Sequence, residues 1–423
     1  MCSSDLVYID DFKITHLGIG KFCGWSVDSN ERFLLGDFTI THNSRRHGGK
    51  DASQPRYIFT LLSQITSKIF IKDDLNVLTY INDDGIFVEP YHYIPIIPMI
   101  LINGALGIGT GFSTNIPCYN PKDIINVLMR LIDGETTDEM IELVPWYNGF
   151  NGKIEKIGDK YYSRGKFVKL NTTKIEITEL PIGTWTFDFK CMLEELLDKI
   201  PTDIKTYESN SGDETISFTI QFTSSSVLDD YMKIESNGFT KLENVLKLAT
   251  SKPLGTTNMY AFNEKGTIKK YESPLHIISE FYTVRLVYYQ KRKDYLLAKM
   301  KYDLELLENK IRFIRAVVNE EIIIHKFKKI DLEKLLESES YKKHNDSYDY
   351  IIKIPVYNLT IDKVDDLEAD LVKSQKQYDD LLSKDIKDIW KDELLDLSNM
   401  VDSIMNTSLP AVFKKKTIKK IES

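Results

Sequence analysis

Residues 44–60 read Ser44-Arg45-Arg46-His47-Gly48-Gly49-Lys50-Asp51-Ala52-Ser53-Gln54-Pro55-Arg56-Tyr57-Ile58-Phe59-Thr60, a basic loop loosened by glycine that runs into an apolar segment. Arg45, Arg46, Lys50 and Arg56 face only Asp51 here, and His47 can add to the positive side. The whole chain carries a net charge of −8, from 55 Lys+Arg against 63 Asp+Glu. That total alone would reject a nucleic-acid binder, so the local excess is what matters. A tyrosine hydroxyl, with a pKa of about 10, is a poor nucleophile at neutral pH. Neighbouring cations favour the phenolate and neutralise a phosphate, which makes Tyr57 a candidate nucleophile with Arg56 at its side. On spacing alone, a surface or half-buried aromatic beside an arginine is the commoner reading.

Outward from this stretch, Ile58, Leu61, Leu62, Ile65 and Ile69 stand at helical spacing and predict an amphipathic helix. A proline-rich extended stretch follows, then the glycine-dense run Asn103-Gly104-Ala105-Leu106-Gly107-Ile108-Gly109-Thr110-Gly111. These glycines do not fit a dinucleotide fingerprint, because the position three after Gly109 is Phe112. Ile108 between two glycines is either the apolar tip of a thin loop or a core residue of a tight turn. Residues 119–272 mix helical patterns (124–131) with alternating runs such as 174–180 and 216–222, an α+β texture.

Ser273-Pro274 is a good N-cap followed by proline at the first helical position. Leu297, Met300, Leu304, Leu307, Ile311, Ile314 and Val318 then alternate at spacings of three and four, a coiled-coil seam. A second seam runs through Val364, Leu367, Leu371, Ser374, Tyr378 and Leu381. The economical arrangement is two long antiparallel helices capped by a small globular knob; two separate bundle helices are the alternative. The end of the chain, with Lys414, Lys415, Lys416, Lys419 and Lys420, reads as a solvated tail, with DNA contact as its alternative.

The chain has 423 residues, 42% of them hydrophobic, enough for two or three globular units. Cys2, Cys23, Cys118 and Cys191 are scattered without a C-x-x-C pair, which disfavours a zinc ribbon or a secreted disulfide framework and fits an intracellular setting. The longest apolar run, near Ile94 to Ile102, is broken by two prolines, so no membrane span is expected. No carboxylate cluster suggests a metal site: Asp83-Asp84 and Asp365-Asp366 read as turn and helix-surface charges.

The string Gly48 to Thr60 closely resembles the active-site tyrosine segment of type IIA DNA topoisomerases of the eukaryotic and viral kind. Supporting strings lie in the family's order: Tyr93-Ile94-Pro95-Ile96-Ile97-Pro98-Met99, the run 101–111, Glu179-Leu180-Pro181 with Thr184-Trp185-Thr186, Phe281 to Leu286 with Tyr288-Tyr289, and Asp388 to Leu394. The resemblance implies that Tyr57 attacks a DNA phosphodiester to form a 5′-phosphotyrosine link, with Arg56 stabilising the charge that builds on the phosphoryl oxygens. It assigns Arg45, Arg46, His47 and Lys50 to backbone phosphates and makes Ile108 a wedge between base pairs of bent DNA.

It further implies a multidomain α+β fold. A partial winged-helix DNA-cleavage domain (44–118) would be followed by an α+β tower (119–272), a long antiparallel coiled-coil gate with a knob (273–400), and the Lys-rich tail (401–423). Double-stranded DNA and a second copy of the chain, joined through the gate, are the implied partners, in the nucleus or cytoplasm, with a viral protein among the candidates. Mg2+ and ATP would serve the intact enzyme on Toprim and ATPase portions outside this segment, in the same intact chain or joined by splicing. The isolated fragment would then be inactive, or act as a non-enzymatic DNA-binding and dimerisation module.

Phe33-Leu34-Leu35-Gly36-Asp37-Phe38-Thr39-Ile40-Thr41-His42-Asn43-Ser44 resembles the C-terminal splice junction of an intein, which makes residues 1–43 a β-rich intein remnant. In such a junction Asn43 cyclises to a succinimide and breaks its own peptide bond, His42 assists as acid or donor, and Ser44 is the first host residue. Upstream, Cys23 stands where many inteins carry another residue type. A naturally split intein and a gene reading truncated inside an intein both remain open.

Overall fold

The computed structural model describes residues 46–48, 62–199, 202–212 and 215–405, and the backbone of 33–34, 40–41 and 406–407. The fold is of mixed α and β character, as expected. Two compact units interleave along the chain: one comprises Met1–Ser63, Ala105–Pro117 and Tyr147–Gly255, the other Gln64–Gly104, Cys118–Trp146 and Thr256–Ser423.

In the first unit, β1 (Phe33–Leu34) pairs antiparallel with β2 (Ile40–Thr41). Strand β5 (Ala105–Ile108) pairs with β6 (Ser113–Ile116) as a hairpin. A three-stranded sheet joins β7 (Lys153–Ile157), β8 (Lys160–Arg164) and β13 (Ala249–Thr250), in the order β13-β8-β7. A four-stranded antiparallel sheet is ordered β11-β12-β10-β9. Its strands are β9 (Lys166–Lys169), β10 (Lys174–Glu179), β11 (Ile204–Ser209) and β12 (Phe218–Phe222).

Period-two alternation puts Ile175 and Ile177 of β10, and Phe218, Ile220 and Phe222 of β12, on the buried face. There they meet Phe189 and Leu193 of α4 (Thr186–Leu197), Leu228 of α5 (Ser225–Tyr231) and Leu242 of α6 (Lys241–Val245). Helix α6 begins with a reciprocal capping box between Thr240 and Glu243. Burial alone would raise the Glu243 carboxyl, but hydrogen bonds from Arg164 and Thr240 hold it below its ordinary value.

The second unit is mostly helical. The helix expected over 58–69 is present in the described residues only as α1 (Thr66–Ile69). Ile65 and Ile69 are buried as the pattern requires, whereas Leu62 lies in an irregular segment and is 82% exposed. Strands β3 (Tyr80–Asp83) and β4 (Ile86–Pro90) form a hairpin across Asp84-Gly85, both at positive φ (48° and 90°), so Asp84 lies in a turn as read while Asp83 ends the strand before it. Helix α2 (Met99–Asn103) precedes α3 (Pro121–Ile132), which Asn120 caps through the Lys122 N–H. Strands β14 (Met259–Phe262) and β15 (Ile268–Tyr271) form a second hairpin.

Then comes the 45-residue helix α7 (Pro274–Val318), capped by Ser273 accepting from the His276 N–H at 3.1 Å with Pro274 at its first turn. Its seam faces α10 (Ile361–Ser383), where Ile311 and Ile314 pack on Val364, Leu367 and Leu371. Arg315 pairs with Glu368 near one end, and Lys293 donates to the carbonyls of Leu382 (3.0 Å) and Lys384 (2.6 Å) near the other. Partners that ascend on one helix while descending on the other make the pair antiparallel. Between them, residues 319–360 form a knob with α8 (Lys329–Ser338) and α9 (Asp349–Ile352), built on Phe313, Leu332, Leu336, Tyr341, Tyr348 and Ile351. Helix α11 (Ile386–Thr407) returns against α3 and α7.

At that return the fold carries a buried charged cluster. Arg285 and Arg292 of α7, spaced to share one helix face, both reach Asp74, at 2.7 and 3.3 Å. Arg292 also donates to Glu393 of α11 at 2.6 Å, and the Tyr289 hydroxyl donates to the same carboxylate at 2.5 Å. Both guanidinium groups lie over the Tyr289 ring, at 4.2 and 4.5 Å. Burial, together with the Glu393 charge, keeps the Tyr289 hydroxyl well above the ordinary phenol range, so it stays a donor. Trp390, fully buried, stacks on Tyr282 and Tyr289 and donates its indole N–H to the Ile96 carbonyl at 3.1 Å.

Removing one partner from such a cluster strands buried charge. Asp74→Ala leaves two buried guanidinium groups short of a carboxylate and should cost about 3–5 kcal/mol, seen as a clearly lowered thermal midpoint by circular dichroism. An unchanged midpoint would rule the cluster out as a support of the fold.

Candidate nucleic-acid interface

Of the residues singled out in the sequence, Arg46, His47 and Ile108 fall in the described part, all three in the first unit. Tyr57, Arg56, Arg45, Lys50, His42, Asn43 and Ser44 lie outside the described residues, as does the Lys-rich tail.

The glycine-dense run forms the β5–β6 hairpin. Ile108 pairs with Ser113 and Leu106 with Asn115, and the turn closes on a 2.7 Å hydrogen bond from the Gly109 N–H to the Phe112 carbonyl. Gly111 takes φ +85°, a conformation that favours glycine. Ile108 is 93% exposed, which disposes of the core-residue alternative. A Cβ added at Gly107 would meet nothing within 4 Å, so the hairpin is thin beside its tip. Ile108 thus presents a branched apolar side chain to solvent at the tip of a narrow two-stranded ribbon.

Arg46, His47 and Gly48 form a turn seated on the start of α4. That helix has no side-chain cap on Trp185; the Arg46 carbonyl accepts instead from the Phe187 N–H at 3.0 Å, satisfying one of its first free donors. The His47 ring tilts against Phe187 at 4.9 Å. Gly48 is buried with φ +67°, and a Cβ there would overlap the Trp185 indole. This seating fixes the backbone while Arg46 stays exposed.

A run of contacts connects the turn to the hairpin. The loop leading into α4 passes Gly183, where a Cβ would stand 3.7 Å from Pro253. The adjoining Lys252 carbonyl accepts from the Asn115 side chain of β6 at 2.9 Å, and Gly255 leaves room for that amide. The residues that do this seating, Trp185, Phe187 and Asn115, carry no functional signal in the sequence. Trp185 stands in a family-like string, but its place against Gly48 has no signature in spacing.

Among the described residues, no three His, Cys, Asp or Glu side chains gather as a metal site, and no helix is long and apolar enough to cross a membrane.

The described part of the candidate site is thus a thin hairpin with an apolar tip, joined by packing to a seated turn that carries Arg46 and His47. In comparison with known proteins, residues 41–395 match the A-subunit family of DNA gyrase/topoisomerase IV, and the chain belongs to that family. It is 37% identical over 402 residues to DNA topoisomerase 2 of Plasmodium falciparum, covering 86% of this chain and 28% of the relative. Against DNA topoisomerase 2 of Acanthamoeba polyphaga mimivirus it is 37% identical over 420 residues, covering 83% of this chain and 32% of the relative. The solved DNA-binding, cleavage and re-ligation domain of Plasmodium falciparum topoisomerase II superposes with a TM-score of 0.78 at 37% identity, covering 87% of this chain and 52% of that one. The chain thus spans about a third or less of these full-length relatives.

Gly48→Ala should loosen the seat by forcing an L side chain into left-handed backbone against Trp185, at a cost of about 1–3 kcal/mol. Tryptic cleavage after Arg46 should accelerate, followed by mass spectrometry. An unaltered cleavage rate would mean the turn does not depend on this seat.

Proposed function

We propose that this chain is the DNA cleavage and re-ligation part of a type IIA DNA topoisomerase, which makes a transient double-strand break and passes a second duplex through it. The observation that carries the reading is Ile108, 93% exposed at the tip of a glycine-thin hairpin in a chain of this family. Apolar wedges on such elements unstack a base step and kink the duplex.

In this reading the Tyr57 phenolate attacks a backbone phosphorus, the P–O3′ bond breaks, and the 3′ oxygen leaves and takes a proton. The phosphodiester's energy is kept in the tyrosyl link, so the reverse attack reseals the strand without a further energy source. Arg56 neutralises charge on the phosphoryl oxygens, as a forked guanidinium does well. Arg45, Arg46, His47 and Lys50 position backbone phosphates without reading sequence. Magnesium and ATP act through Toprim and ATPase portions of the intact enzyme, so the chain alone is inactive.

The winged-helix, tower and gate assignments follow the family order. Dimerisation through the gate is supported by Val356, Tyr357 and Ile361, which are 83, 78 and 64% exposed where the knob meets α10. The setting is intracellular, nuclear or cytoplasmic, and the mimivirus relative is in keeping with a viral host. The alternative, a DNA-binding and dimerisation module without chemistry, predicts no covalent product in the assay below.

Residues 1–43 act in this reading as an intein remnant with His42, Asn43 and Ser44 at the junction. The family match begins at residue 41, three residues before Ser44. Mass spectrometry after mixing with a complementary intein half should show cleavage after Asn43, abolished in Asn43→Ala; an intact chain in every mixture would make the junction inert.

Covalent trapping on nicked duplex with magnesium and an added Toprim-containing portion should yield an adduct from the parent chain and none from Tyr57→Phe. An adduct that survives Tyr57→Phe would overturn the assignment of the nucleophile.

A further inference from the structure

The β5–β6 hairpin presents a second apolar residue on the same face as its tip. Leu106 and Ile108 are two apart on one strand, so their side chains point the same way, while Gly107 between them leaves the opposite face bare. Leu106 is 39% exposed, and its cross-strand partner is the polar Asn115, which is drawn away to the Lys252 carbonyl. Leucine here leaves solvent-facing apolar surface that the hairpin itself does not cover.

The spacing suggests what covers it. Two residues along a strand span about 6.7 Å, and the minor groove of B-form DNA is about 7.5 Å deep. A hairpin that brings Ile108 to the floor of the groove therefore leaves Leu106 at its mouth, level with the sugar edges of the two strands. When the wedge opens a step, those edges move apart and expose apolar sugar carbons on either side of the ribbon.

We propose that Leu106 is a positioning residue that packs against the opened groove walls and holds the bent duplex once Ile108 has entered. This rests on the wedge reading of Ile108 above and adds a division of labour to it: Ile108 starts the kink, Leu106 keeps it open. Phosphate contacts by the basic turn supply affinity that depends on salt, whereas the Leu106 contact is apolar and acts on the population of bent DNA.

The test uses the whole chain and a duplex of roughly 25 base pairs, within the 20–30 base pairs over which a bend is measurable, labelled at both ends for energy transfer. Leu106→Thr replaces leucine by a β-branched strand former and should reduce the bent fraction by about threefold to fivefold, the worth of part of a buried leucine. The salt slope of binding should stay unchanged, total affinity by anisotropy should fall by no more than the bent fraction does, and Leu106→Met should restore the bend. If Leu106→Thr bends DNA as the parent does while Ile108→Ala does not, the role of Leu106 is overturned and the wedge stands. If neither Ile108→Ala nor Leu106→Thr alters bending, or the parent does not bend DNA at all, the wedge reading itself fails and this proposal with it. A Leu106→Thr chain that loses binding and thermal stability together, with Leu106→Met behaving as the parent, would make Leu106 a fold residue and overturn the proposal.

Discussion

The buried pairing of Asp74 with Arg285 and Arg292 is the constraint on which the helical unit turns. A 45-residue helix with one end free would lever on whatever holds its base. Here the base is held on three sides: by Asp74 from the segment before β3, by Glu393 and Trp390 from α11, and by the Ile96 carbonyl through the indole N–H. Ion pairs taken out of water bring little net stability compared with apolar packing, but they tolerate few alternative arrangements. Two arginines on one helix face, one carboxylate between them and an aromatic ring beneath both fix the rotation of α7 about its own axis. That rotation decides which residues face α10 further along, so the seam at Leu304, Ile311 and Ile314 inherits its register from a cluster several turns away.

The first unit solves a different problem, that of holding thin elements steady. A two-stranded hairpin is marginal by itself, and β5–β6 gains support from the Asn115 amide on the Lys252 carbonyl and from the 3-10 turn Lys252–Leu254 packed beside β6. The turn at 46–48 has no regular structure to hold it, and the start of α4 supplies both an N–H donor and two aromatic rings. In each case the anchoring atoms are not those of the exposed side chain: the Arg46 carbonyl and Gly48 seat the turn, and Asn115 seats the hairpin. The exposed side chain keeps its rotamer freedom while its backbone is fixed, which suits a group that must meet a ligand rather than a neighbour.

Much of this was legible in the sequence. The Ser273-Pro274 cap, both seams, the alternating strands at 174–180 and 216–222 and the thin hairpin with Ile108 are local patterns, each enforced by one periodicity or one backbone conformation. Of the helix expected over 58–69, residues 58–61 lie outside the described ones, and the rest is a single turn at Thr66–Ile69 with Ile65 and Ile69 buried and Leu62 exposed. The Asp74 cluster was not legible. Asp74, Arg285, Arg292 and Glu393 are ordinary charged residues in their own segments, and only the folded chain brings positions more than 200 apart together. Of the candidate site, the residue types and the tip were legible, but the seat formed by Trp185 and Phe187 was not. No spacing rule links a glycine at 48 to an indole at 185.

The acidic total also becomes intelligible once charge is assigned to places. Helix α7 is about 68 Å long at 1.5 Å per residue, and ionic screening in about 0.1 M salt acts over about 10 Å. The carboxylates that line α10, Asp362, Asp365, Asp366, Glu368 and Asp370 among them, sit toward the knob end, a few screening lengths from the base of their own unit. Several others are consumed internally, as Glu243 is by Arg164, Glu393 by Arg292 and Asp74 by both arginines. A carboxylate neutralised by a partner a few ångströms away repels an approaching phosphate far less than its formal charge suggests. The net charge of −8 is therefore compatible with a locally basic stretch such as residues 44–57.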